Sequence, residues 1–153
     1  MSKKSKKKQL IVKVREPYFI HKTLEGGAEM TIMVGKYALP WKAITDVPIC
    51  GPVMAKIEKV KKAFPDAHIE FNFRQENPAF IFNVSGKTIR HEGDTPDQSI
   101  GDKVARAKAL CRACVISKAI VLAAKESLEE ELNRTIAVLD VWREKEKNVI
   151  KGV

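Results

Sequence analysis

The last change in the hydrophobic period of this chain falls at Thr95-Pro96, and that change divides what the chain can fold into. Upstream, apart from one short stretch after Gly51-Pro52, apolar residues recur at every second position; downstream they recur at every third and fourth, as far as the C-terminus. Thr95 is placed to cap a helix, Pro96 takes the first helical position where its missing N–H costs nothing, and Gln98 completes a capping box. His91, Asp94 and Asp97 gather at the positive end of that helix, where each carboxylate is favoured by about 0.3 to 1 kcal/mol. The pattern predicts a mostly sheet-forming part over 9–94 and a helical part over 95–150, in one domain spanning 9–153.

A chain of 153 residues with 44% hydrophobic content has enough apolar material for one core and too little for two full domains. The net charge of +9 is unevenly spread. The first fifteen residues hold seven bases and no acid, which leaves 21 of the 28 bases against 19 acids in the rest. The basicity therefore belongs to the N-terminus, where residues 1–8 read as a disordered Lys-rich arm. That arm, with Lys3, Lys4, Lys6, Lys7 and Lys8, is either a solubilising terminus or a contact for nucleic acid. Three cysteines and no secretory segment predict a reducing, cytoplasmic setting, and the longest apolar run, Ala113 to Ala124, is too short to cross a bilayer.

Five strands are expected. Leu10 to Ile20 alternates, and Gly26-Gly27 turns it back through Met30, Ile32 and Val34. Gly35 to Pro52 reads as irregular, with Trp41 as a packing plug, and Gly51-Pro52 opens a short helix with Val53, Ile57, Val60 and Phe64 on one face. On its other face Lys56, Lys59 and Lys62 form a basic stripe, a solvated surface or a second nucleic-acid contact. Ile69, Phe71 and Phe73 then alternate inward, followed by Phe80, Phe82 and Val84; Ser85-Gly86 reads as a tight turn into a fifth strand ending near His91.

The helical part is expected to present Ile100, Val104, Ala107, Cys111 and Cys114 along one stripe. A second capping box, Ser127-Leu128-Glu129-Glu130, predicts a break near Lys125-Glu126 and hence two helices, 96–125 and 128–150, packed as an antiparallel pair. The second carries Leu128, Leu132, Ile136, Leu139 and Trp142 at three- and four-residue spacing. The stripe from Ala113 to Ala124 carries more apolar surface than one sheet and one partner helix cover, which predicts a homo-oligomer formed through the C-terminal helices.

Little in the chain points to catalysis or to a bound cofactor. Cys111 and Cys114 form a CxxC well inside the helix, where the dipole does not activate a thiol, so both are expected to be buried packing groups. Cys50, His21, His68 and His91 have no metal-ligand spacing, and phosphate loops, nucleophile elbows and carboxylate pairs are missing. No enzyme, no metal and no cofactor are expected.

The stretch Arg90 to Leu110 resembles a segment of small accessory proteins of tailed bacteriophages, in which a strand leads into His-x-x-Asp-x-x-Asp-x-x-Ile-Gly-x-Lys and an Ala-rich helix. His91, Asp94, Asp97, Ile100, Gly101, Lys103, Ala105, Ala107, Ala109 and Leu110 carry the match, over about twenty of 153 residues. Gly93-Asp94-Thr95-Pro96 departs from it where such proteins carry acidic and aromatic residues. The resemblance implies the cytoplasm of a bacterial host and, by likeness to phage anti-defence proteins of the Thoeris type, a non-enzymatic protein that sequesters a small phosphorylated nucleotide signal. Arg90, His91, Asp94, Lys103 and Arg106 are the ligand-binding candidates under that reading. Nucleic-acid binding through the arm and basic stripe is the alternative, and a structural or assembly role is the third. The fold class expected is α+β, an antiparallel sheet of about five strands with one short helix and a C-terminal pair of longer ones.

Overall fold

A computed structural model describes residues 10–46, 49–73, 77–90 and 98–152. The arm 1–8 and the helix start at Thr95 and Pro96, with His91, Asp94 and Asp97, lie outside the described residues. The class is the expected one: an α+β domain built on a five-stranded antiparallel sheet. Two long strands form its centre. β3 (Glu29–Pro40) pairs along its whole length with β5 (Ala79–Arg90), in the register Met33 opposite Gly86 and Tyr37 opposite Phe82. On the far side of β3 lie β1 (Val12–Lys13) and β2 (Tyr18–Thr23), and β4 (Glu70–Asn72) pairs with the first three residues of β5.

The strand count agrees with the sequence reading, but the segments differ. Residues 35–40, expected to be irregular, continue β3 and bury Tyr37 and Leu39; Ser85-Gly86, expected to turn, lies inside β5. A Ser-Gly pair turns a chain only when nothing holds it extended, and here β3 pairs with every residue of β5. Gly86 serves a close approach instead. A Cβ there would collide with the backbone carbonyl of Ala105 and lie 2.6 Å from the backbone nitrogen of Ala109, so only glycine lets the long helix lie against the sheet.

One face of the sheet carries the core. Met33, Phe80 and Phe82 are fully buried, Trp41 at the start of the one-turn α1 (Trp41–Ile44) stacks edge-on against Phe80 at 6.1 Å, and Val53, Ile57 and Val60 of α2 (Gly51–Ala63) close it from above. Trp41 and the short helix thus take the roles expected of them. Of the four phenylalanines expected to point inward, Phe80 and Phe82 are buried at the centre, Phe71 is half-buried and Phe73 is exposed.

The C-terminal part is one helix, α3 (Gln98–Lys151), with no break at Lys125-Glu126. Neither residue of the expected capping box starts a helix: Ser127 is buried, and Glu130 reaches to Lys56 on α2 together with Glu126. The antiparallel pair is therefore absent, and besides the sheet it is α2 that α3 packs against. The buried stripe also lies on the face of the helix roughly opposite the expected one, running through Ala105, Ala109, Ala113, Ile116, Ile120 and Ala124. Approach at Gly86 admits only small side chains at the crossing, which turns Ile100, Val104 and Leu110 outward. Cys111 and Cys114 are exposed with them, contrary to the packing role expected. No described helix is long and apolar enough to cross a membrane.

Candidate functional site

Two surfaces stand out once the chain is folded, the outer half of α3 and a groove beside β5. α3 leaves the body after Leu128, and every described residue from Glu129 to Gly152 is exposed. At 1.5 Å per residue the projecting part is about 35 Å long. It carries Leu132, Ile136, Val138, Leu139, Val141, Trp142, Val149 and Ile150 in the open; Trp142 is 62% exposed and Ile150 73%. A helix in water owes most of its stability to packing of an apolar face, so a projecting helix of this composition is built to be covered. Its root is fixed by a fork in which Lys56 Nζ donates to Glu130 Oε1 at 2.9 Å and to Glu126 Oε1 at 3.1 Å. The bond to Glu130, then that to Glu126, raises the Lys56 pKa, and the same ammonium lowers that of Glu130.

The residues expected to bind a ligand or nucleic acid fall in different places. Arg90 is ion-paired with Glu29 across the β3–β5 ladder, while Lys103 and Arg106 are exposed on the first turns of α3. His91 and Asp94 lie outside the described residues. In the basic stripe of α2, Lys56 is drawn into the fork while Lys59 and Lys62 face solvent. Among the described residues no group of histidine, cysteine and carboxylate side chains is close enough to hold a metal.

The groove that does form has a volume of about 510 Å³ and lies between the middle of β5, the 3-10 turn Pro65–Ala67 and α3. Its polar lining comes from Asn83, Ser85, Lys87, Lys108, Arg112 and Asp66. Lys108 Nζ donates to the Lys87 carbonyl at 2.9 Å, and the Arg112 guanidinium sits 4.7 Å over the Phe64 ring, so both cations are held in place. Sequence reading missed this groove because its residues are spread over three elements, and no local spacing reports that Lys108 reaches β5. Comparison with known proteins found no matching family model, no matching curated protein and no matching solved structure.

Proposed function

We propose that this protein is a non-catalytic assembly module that pairs with a second copy of itself through the projecting half of α3. The observation that carries this reading is the row of large apolar side chains on a helix segment that the domain itself leaves uncovered. Leu128, Leu132, Thr135, Leu139, Trp142 and Val149 follow the four-three spacing of a coiled-coil seam, interrupted at Glu146.

The flanking charges favour an antiparallel pair. Glu129 and Glu131 flank the seam near its start, and Arg143 and Lys145 occupy the equivalent flanking positions near its end. Laid antiparallel about the Thr135–Leu139 layer, two copies bring Leu132 against Trp142, Glu131 beside Lys145 and Glu129 beside Arg143. A parallel pair sets Glu131 beside Ile136 and Lys145 beside Ile150, and gains none of those contacts.

Sedimentation velocity across the micromolar range tests the reading. A dimer is expected for the full chain and a monomer for the Leu132→Glu, Trp142→Glu double variant with unchanged sheet signal. A full-length chain that sediments as a monomer throughout the range overturns it.

A further inference from the structure

We infer that the open edge of β5 accepts an added strand, supplied by an acidic peptide in extended conformation. This surface lies on the body of the domain and is independent of the pairing proposed for α3. β4 covers only Ala79–Ile81 of β5; the chain leading into β4 lies off the ladder, with His68 in the left-handed conformation at φ 46°. From Asn83 onward no described strand pairs with the outer side of β5.

The direction of its backbone groups follows from the ladder. Lys36 of β3 gives its carbonyl to the Val14 N–H on the β1 side, so the alternate residues Met33, Gly35 and Tyr37 face β5 and bond to Gly86, Val84 and Phe82. In a strand the N–H and C=O of one residue point the same way and alternate along the chain. Asn83, Ser85, Lys87 and Ile89 therefore aim both groups away from β3, which the bond from Lys108 Nζ to the Lys87 carbonyl bears out. That ammonium occupies the place that a peptide N–H takes in a ladder. Such an edge is a template for strand addition.

Charge selects the occupant. Lys87, Lys108 and Arg112 line the groove against the single carboxylate of Asp66, so three positive charges and one negative leave it at +2. The β5 edge of a second copy brings the same excess and is repelled, and the Lys-rich arm of the chain itself is disfavoured for the same reason. An incoming strand with carboxylates takes over Lys108, frees the Lys87 carbonyl for its own N–H, and completes the sheet.

The test is amide exchange and binding by NMR on the full chain, with a blocked six-residue peptide of alternating valine and glutamate as probe. In the free protein the amides of Ser85 and Lys87 should exchange quickly and those of Val84 and Gly86 slowly; saturating peptide should protect Ser85 and Lys87. The Lys87→Glu, Lys108→Glu double variant should bind about tenfold more weakly through lost charge-assisted contacts. A probe methylated on alternate backbone nitrogens, which keeps the charge and loses the ladder donors, should not protect these amides. Failure of the unmodified probe to protect Ser85 and Lys87 at millimolar concentration overturns the inference. So does equal binding of the methylated probe, or binding of inorganic phosphate alone with the same affinity, either of which makes the groove an anion site without strand addition.

Discussion

Two residues show how much of this fold hangs on the closeness of α3 to the sheet. Any side chain at Gly86 runs into the backbone of Ala105 and Ala109, which cannot retreat as a flexible side chain does. Gly86→Ala is therefore expected to destabilise the domain by at least about 2 kcal/mol, lowering Tm by roughly 4 to 8 °C in a thermal melt. An unchanged Tm would mean that the helix does not cross there. Ser117 is the opposite case: its hydroxyl is buried in α3 with no hydrogen-bond partner among the described residues. Ser117→Ala removes an unsatisfied polar group and places the best helix former in a helix interior, so Tm should rise by roughly 2 to 4 °C, about 1 kcal/mol. A fall in Tm would show the hydroxyl to be satisfied. Gly86 was misread from sequence as half of a turn because Ser-Gly has the same local signature whether the chain reverses or another backbone comes close. The cysteines were misread for a related reason. Helical spacing gives the period of a buried face but not its phase, and the phase here is set by the small residues that fit over Gly86, which leaves Cys111 and Cys114 outside.

Among the elements, α2 was legible almost to the residue, since Gly51-Pro52 marks its start, Phe64-Pro65 its end, and Val53, Ile57 and Val60 its inner face. α3 was legible as helix but not as one helix. A capping box is a local signal, and the long-range fork between Lys56, Glu126 and Glu130 outweighs it. The fork should give the α2–α3 contact a pH window. Bonding to Lys56 lowers the Glu130 pKa, so its contribution is present above the ordinary carboxylate range and lost as pH falls through the lowered value. Bonding to Glu130 and Glu126 raises the Lys56 pKa, so that contribution is present below the ordinary lysine range and lost as pH rises through the raised value. Between those limits Lys56→Met should melt below the wild-type protein, and the gap should close on acidification. A gap that persists unchanged in acid would assign the effect to the packing of the lysine stem and not to the ion pairs.

At the scale of the whole molecule, the sequence reading put the excess apolar surface on Ala113 to Ala124, much of which is buried against the body, and assigned the cover of the residues beyond it to a helical pair within one chain. With α3 continuous, that cover is missing, and eight large apolar side chains stand on a rod about 35 Å long. Pairing between copies links stability to concentration, so Tm should rise with protein concentration, and deletion of residues 132–153 should abolish that dependence while leaving the sheet intact. The orientation is decided by cross-linking in a background where Cys50, Cys111 and Cys114 are replaced by alanine. An antiparallel pair sets position 131 beside position 145 and keeps the two copies of position 132 ten residues, about 15 Å, apart along the helices. A mixture of Glu131→Cys and Lys145→Cys chains should then form a mixed disulfide readily, whereas Leu132→Cys alone should not. A parallel pair brings the two copies of position 132 face to face across the seam. Rapid disulfide formation by Leu132→Cys alone, with none in the mixture, would reverse the orientation and remove the part that the flanking glutamates, arginine and lysine are assigned in choosing it.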